Sequence, residues 1–203
     1  MGEKTYNNDN ASKNINEKIF ITVGTTLFNQ LIETISSKEF IHNITSKNRS
    51  YNELTIQYGK GNPPNIITRS SSEDDINESF LIESYKYKPS LQDDMISSSL
   101  IISHAGAGSI MECLALHKKT IVVVNNKLMN NHQYELAEAL YKRGYLICVH
   151  DVTKLLDAHF WDNVVDCFVP KIWNGGDDMA FSFLLDDQMN YLIGNHNDED
   201  KVD

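Results

Sequence analysis

Gly106-Ala-Gly108-Ser109, which follows a short β-favouring run, is the segment of this sequence best suited to chemistry. Small residues let a backbone approach a ligand closely. A helix start that follows adds unpaired N–H groups and a positive dipole end, the means by which helices hold phosphate. The same glycines would equally serve a tight turn packing a helix on a sheet, so local sequence leaves both readings open. What is missing narrows the ligand. The Gly-x-x-x-x-Gly-Lys-Ser/Thr loop of nucleoside triphosphatases is absent, and Gly106 to Met111 lacks the third glycine of the dinucleotide fingerprint. Where that fingerprint places an acid for the adenosine ribose, this chain has Asn125 and Asn126. A nicotinamide dehydrogenase is disfavoured, and a nucleotide-sugar diphosphate remains open.

Glu112 carries two readings. Ser109-Ile-Met-Glu112 fits a reciprocal capping box, in which the glutamate returns to the backbone of the cap, and spacing alone favours that structural role. If the helix starts earlier, near Ala107, Glu112 lies one turn in, and its carboxylate could accept hydrogen bonds from both hydroxyls of a ribose. Asn131 is a candidate cap for the next helix, which brings His132 and Gln133 to a strand-end rim where imidazole and amide groups can read a sugar. On the residues alone, His132 is better read as a partly exposed helix-start residue. His104, at a strand end, could be a base or a satisfied edge residue. Cys113, inside a helix, reads as a small core residue. His132 and Glu135, three apart, could share a metal, but no further ligand clusters with them in the sequence, so no metal site is expected.

These residues need elements to hold them. Ile19 to Val23 is a continuous β-favouring run ended by Gly24, followed by helical spacing over Leu27 to Ile35. Leu54 to Tyr58 reads as a second strand closed by the turn-forming cluster Gly59 to Pro64, and Phe80 to Tyr87 as a third. From Leu100 the pattern sharpens: strand 100–103, helix 106–117, strand 120–124, helix 131–143 closed by Gly144, and strand 145–149. Such alternation predicts an α/β fold, a Rossmann-like open parallel sheet flanked by helices, with ligands at the carboxyl ends of the strands. Gly24-Thr25-Thr26, His104 to Ser109 and Asn125 to Gln133 then lie on one rim. Asp151 to Phe168 is expected to form another helix, and Asp177 to Ile193 an amphipathic one. The domain reading is a disordered tail over 1–18, an α/β domain over 19–170, a helical extension over 171–194 and an acidic tail over 195–203.

Composition excludes several classes. The chain has 203 residues, 41% hydrophobic, and 18 basic against 28 acidic side chains give a net charge of −10. An acidic balance without a Lys/Arg cluster argues against a nonspecific grip on nucleic acid or anionic lipid. No apolar run approaches the roughly 20 residues of a membrane span, and the polar start does not resemble a secretory signal. A cytoplasmic setting with three reduced cysteines, Cys113, Cys148 and Cys167, is expected.

Taken in order, Ile19-Phe-Ile-Thr-Val-Gly24-Thr-Thr26, Leu54-Thr-Ile-Gln-Tyr-Gly59, Ile102-Ser-His-Ala-Gly-Ala-Gly-Ser109, Glu112 and Asn131-His-Gln133 resemble the donor-binding half of glycosyltransferase family 28. Within it, they are most similar to the catalytic subunits of the eukaryotic UDP-N-acetylglucosamine transferases of dolichol-linked oligosaccharide synthesis. The resemblance runs from about Ile19 to Val149. It implies the donor half of a two-domain (GT-B) transferase, with diphosphate against Gly24, Thr25, Thr26, Gly106, Ala107, Gly108 and Ser109. It further implies ribose on Glu112 and N-acetylglucosamine on the Asn131, His132 and Gln133 segment. The implied reaction is inverting transfer from UDP-N-acetylglucosamine to N-acetylglucosaminyl-diphosphodolichol, with no cofactor or metal beyond the donor substrate. It also implies activity only with a membrane-anchored partner that binds the lipid-linked acceptor, at the cytosolic face of the endoplasmic reticulum. The general base, with His104 as one candidate, is left unassigned, and the 171–194 extension is the implied partner contact. A noncatalytic nucleotide-sugar binder that regulates such a partner is the alternative.

Overall fold

The computed structural model describes residues 17–46, 49, 51–66, 80–125 and 131–175, without the side chains of Asn131, His132 and Gln133. The expected tails and the amphipathic stretch from Asp177 lie outside the described residues, as does the polar, acidic segment Ser70 to Glu78, which the sequence reads as a surface loop. Six strands form one parallel sheet: β1 Glu17–Thr22, β2 Tyr51–Gln57, β3 Leu81–Tyr85, β4 Leu100–His104, β5 Lys119–Val123 and β6 Ile147–Val149. Their order is β3-β2-β1-β4-β5-β6. The chain steps outward from β1 to β3, then returns to the other side of β1 to lay down β4 to β6. Between β1 and β4 the direction of winding reverses, which opens a crevice at the carboxyl ends of those two strands.

Burial on both faces explains the sequence runs that form the centre of the sheet. In β1, Ile19, Phe20 and Ile21 are all fully buried, but they face opposite ways. Ile19 and Ile21 join Val23, Leu54, Ile102 and Val123 in a core that includes α1 (Asn29–Ile35) and α2 (Lys38–Ile44). Phe20 packs on the other face with Ile101, Met95 of α3 (Gln92–Ser97) and Cys113 of α4 (Ala107–Ala115). Beside them, Val122 meets Ile110 and Leu114 of α4, and Leu136 and Leu140 of α5 (Asn131–Arg143). Among the described residues, no helix is long and apolar enough to cross a membrane.

Two helices, α2 and α3, lie in stretches to which the sequence pattern assigns no element. At seven and six residues they are too short for a helical period to emerge. Ser37 nonetheless caps α2, its hydroxyl accepting from the Phe40 N–H at 3.2 Å. The single helix expected over Asp151 to Phe168 is not formed. Val152–Leu156 is a 3-10 turn, α6 spans only Ala158–Phe160, and Trp161–Val165 makes a π-helical turn. Asp157 breaks the run: its backbone is extended, and its carboxylate accepts from the His159 N–H at 2.9 Å. The fold back lets Trp161 bury fully, with its indole N–H donating to the Leu155 carbonyl at 2.9 Å and its ring edge-on to Phe40. Arg49 holds the turn from outside, pairing with Asp162 at 2.6 Å and Asp166 at 2.9 Å over the Trp161 ring.

Candidate functional site

The two glycine loops meet at the crevice. Thr22, the last residue of β1, lies beside Ser103 of β4 on one side and Gln57 of β2 on the other, so the loop after β1 sits next to His104. Gly24 has φ +58, and a Cβ there would lie 2.6 Å from the His104 ring; a Cβ on Gly106 would lie 2.3 Å from His104 Nε2. Both glycines are therefore dictated by one imidazole wedged beneath the two loops, with Gly24 also needing its left-handed backbone. Gly108 differs, because a Cβ there would meet no atom of the described residues within 4 Å. Packing among the described residues explains Gly106 but not Gly108, which leaves room over a helix start for a ligand.

The helix begins where the functional reading of Glu112 needs it. Gly106 occupies the cap position with an extended backbone, Ala107 is the first helical residue, and no side chain caps the first turn. The capping box expected from Ser109 and Glu112 is thus not formed: the helix starts three residues before its acceptor would stand. The first-turn N–H groups of α4 are left without side-chain acceptors at the crevice rim. Glu112 lies one turn further on, exposed, and its carboxylate makes no hydrogen bond or ion pair with any described residue.

A cleft of about 500 Å³ extends from this helix start. Ser109, Glu112 and Leu116 of the α4 side form one wall, and Lys88 to Gln92, between β3 and α3, form the other. Asp94 sets that second wall by accepting from Lys88 Nζ at 2.8 Å and from the Tyr85 hydroxyl at 2.6 Å. Burial alone would raise the Asp94 carboxyl, but those hydrogen bonds and the Lys88 and Lys18 charges outweigh it and hold the group below the usual carboxylate range. Nothing in the residue types of 88–92 marks them as a site, and the sequence reading passed over them.

It also missed the residue that holds the first loop. Gln57, 1% exposed, accepts from the Thr22 hydroxyl at 2.6 Å and donates from Nε2 to the carbonyls of Gly24 at 2.7 Å and Lys86 at 2.8 Å. The Gly24 N–H in turn donates to the Thr22 hydroxyl at 3.1 Å. One buried amide therefore ties the ends of β1, β2 and β3. The available signal was a polar side chain ending a buried β run. Gly59, at φ +60, packs under the same loop, where a Cβ would lie 2.7 Å from the Gly24 carbonyl oxygen and 2.8 Å from that of Thr26. Thr25 is exposed at the rim, and Thr26 donates its hydroxyl to the Val23 carbonyl at 2.8 Å. Asn125, after β5, donates to the Leu27 carbonyl at 3.2 Å and joins the third loop to the first.

His104 is 9% exposed, and burial pushes its pKa down to about 4, with the backbone of Thr22 pulling the other way. At neutral pH the ring is uncharged. Its place beneath both loops suits support of those loops better than contact with a reacting group. Cys113 is fully buried and its thiol is pushed up to about 12, chiefly by burial, as a core residue should be. α5 starts at Asn131, as its cap-like sequence suggests, at the same end of the sheet; the side chains of Asn131, His132 and Gln133 lie outside the described residues.

Comparison with known proteins adds to this geometry. Residues 18–158 match the sequence family described as the glycosyltransferase family 28 C-terminal domain. The human UDP-N-acetylglucosamine transferase subunit ALG13 is 44% identical over 128 residues, which is 63% of this chain and 10% of the relative. Its mouse counterpart is 42% identical over 130 residues, 64% of this chain and 10% of the relative. The protein of that name from Yarrowia lipolytica is 38% identical over 130 residues, covering 64% of this chain and 63% of the relative. The match thus spans a tenth of the two mammalian relatives and under two thirds of the third. Among solved structures, the NMR solution structure of ALG13 aligns with a TM-score of 0.56 at 23% identity, over 84% of this chain and 95% of that one. The glycosyltransferase of kitacinnamycin aligns with a TM-score of 0.53 at 16% identity, over 92% and 42%. At these identities the structural likeness is one of fold.

Proposed function

The chain belongs to the glycosyltransferase family 28 C-terminal domain family, and from that premise we propose that it is the donor-binding, catalytic subunit of a heteromeric UDP-N-acetylglucosamine transferase. The observation that carries the reading is the pair of glycine loops meeting over His104 beside an uncapped helix start. The diphosphate of the donor lies against Gly24, Thr25 and Thr26 and the N–H groups of Gly106 to Ser109. The ribose is held by Glu112, and the uracil enters the cleft between α4 and Lys88 to Gln92. Asn131, His132 and Gln133 read the N-acetylglucosamine. As the glycosidic bond breaks, negative charge grows on the leaving UDP, and fixed helix-start N–H groups stabilise it without reorganisation. That role needs neither a metal nor a cofactor from this chain.

The acceptor in this reading is N-acetylglucosaminyl-diphosphodolichol, whose 4-hydroxyl attacks with inversion to give a β-1,4 linkage. A membrane-anchored partner presents it at the cytosolic face of the endoplasmic reticulum, and the general base comes from that acceptor half. His104 supports the donor loops. The names of the relatives, each a transferase subunit, favour this assignment over a solitary enzyme.

The test is transfer of radiolabelled N-acetylglucosamine from its UDP donor to a short-chain N-acetylglucosaminyl-diphosphoisoprenoid. The expected result is product only when the purified chain is mixed with membranes that supply the partner. Product from the chain alone would overturn the split arrangement, and UDP binding without transfer in the mixture would favour the noncatalytic reading.

A second expectation concerns the extension over 171–194, assigned here to partner contact. The described chain is tied down as far as Trp173, whose ring packs edge-on against Tyr145 at 5.2 Å, and Lys171 donates its N–H to the Gly144 carbonyl at 3.0 Å. Truncation before Asp177 keeps those contacts. The shortened chain is expected to retain its melting temperature and UDP affinity and to lose co-purification with the membrane partner. Undiminished co-purification would remove the extension from the interface.

A further inference from the structure

At the sheet edge, β6 and α5 bring together three side chains that the donor site does not use. Cys148 lies in β6, His150 is the first residue past the end of that strand, and Glu138 of α5 brings its carboxylate beside both. Glu138 Oε2 lies 3.1 Å from His150 Nε2, Cys148 Sγ lies 3.8 Å from the same nitrogen, and all three ligand atoms fall within 4.8 Å of one another. We propose that Glu138, Cys148 and His150 form a zinc-binding site that clamps α5 to the edge of the sheet.

The convergence on one nitrogen carries the argument. In a plain ion pair the Nε2–H of a protonated His150 would serve the Glu138 carboxylate, and nothing would call for the sulfur beside it. Lys142 Nζ, at 3.7 Å, is too far to be more than a weak second partner for that carboxylate. An oxygen, a sulfur and an imidazole nitrogen gathered about one point are instead a donor set for a metal. Zinc bonds of roughly 2.0–2.3 Å in a tetrahedron put neighbouring ligand atoms about 3.3–3.6 Å apart. Shifts of roughly an ångström or less in the glutamate and cysteine side chains would bring the trio to that spacing. Thiolate with imidazole selects zinc and its surrogate cobalt over magnesium or calcium, which want oxygen alone. The Tyr134 ring, 5.1 Å from that of His150, holds the imidazole in place. Three protein ligands leave a fourth position for water or for a group from a partner.

The clamp has a structural consequence. It joins Glu138 to the strand at a point two turns along the helix that begins at Asn131. Metal binding therefore fixes the direction in which α5 projects its first turn to the rim. Binding itself does not depend on the donor reading.

The experiment uses the full chain stripped of metal with a chelator. Titration with Co²⁺ is expected to give a thiolate-to-cobalt charge-transfer band and the intense d–d bands of a tetrahedral centre, saturating at one equivalent. Zn²⁺ should then displace them. Cys148→Ser is expected to abolish the charge-transfer band. His150→Ala and Glu138→Gln should each weaken zinc binding roughly tenfold or more, with unchanged far-UV circular dichroism, and Cys167→Ser should leave binding intact. Absence of the charge-transfer band, its persistence in Cys148→Ser, or zinc affinity unchanged in both His150→Ala and Glu138→Gln would overturn the site.

Discussion

Glu112→Gln is expected to weaken UDP binding by roughly tenfold to a hundredfold and to move the melting temperature by no more than about 2 °C. The first number follows from charge. A carboxylate that accepts two ribose hydroxyls makes charge-assisted hydrogen bonds, and replacing it by a neutral amide forfeits about 1.5–3 kcal/mol at roughly 1.4 kcal/mol per tenfold. The second follows from the start of α4 at Ala107. Because Glu112 is exposed, caps nothing and pairs with no described residue, its replacement falls among surface changes of about half a kcal/mol or less. In a chain of this size that amounts to about 2 °C at most. Glu112→Ala, which removes both acceptors, is expected to fail to complement a strain lacking the transferase subunit while remaining folded. Calorimetric titration with UDP and a thermal melt of the same samples check both halves. Unchanged UDP affinity would take the ribose away from Glu112. A fall of several degrees with affinity intact would return the residue to a structural role.

α5 was legible in its span, Asn131–Arg143, and its end is punctuated: Gly144, at φ +81, closes it, with the Tyr145 N–H returning to the Leu140 carbonyl at 3.1 Å. The central strands were legible because burial on both faces leaves unbroken apolar runs. α4 was placed within two residues at either end, but the sequence left the role of Glu112 open, since Ser109 to Glu112 also satisfies a capping pattern that the preceding glycines pre-empt. The segment after Asp151 was misread for a tertiary reason: Trp161 gains more by folding back into the core beside Phe40 than a straight helix would allow.

In the site, the glycine loops carried a local signature, but the meaning of each glycine did not. Gly24 and Gly106 are far apart in sequence, and only the sheet order brings both onto His104, so the imidazole looked like a candidate base when it sits below the loops it spaces. The cleft wall at Lys88 to Gln92 is assembled by Asp94 from across a turn and has no motif of its own. Gln57 was hidden inside a strand, as a single polar residue in an apolar run.

Gln57→Leu is therefore the change expected to damage fold and site together. Leucine fills much of the same volume but makes none of the three hydrogen bonds, and it leaves the Thr22 hydroxyl and the Gly24 and Lys86 carbonyls without their partner. A buried polar group so stranded costs about 1–3 kcal/mol. With water able to reach the carbonyls nearest the rim, the sum is expected near 3 kcal/mol, or a fall in melting temperature of about 6–12 °C. UDP affinity, measured well below that melting point, is expected to drop about tenfold, because the Gly24 carbonyl loses the donor that orients its loop and the ordering must come from binding instead. Thr55→Val separates this from a general weakening of β2. Thr55 is as buried as Gln57 and lies two residues earlier on the same strand, but its hydroxyl has no hydrogen-bond partner among the described residues. Removing that hydroxyl orphans nothing, so Thr55→Val is expected to keep both stability and UDP affinity. Gln57→Leu with wild-type UDP affinity would show that the loop orders itself without the amide, and would confine Gln57 to holding the three strand ends together.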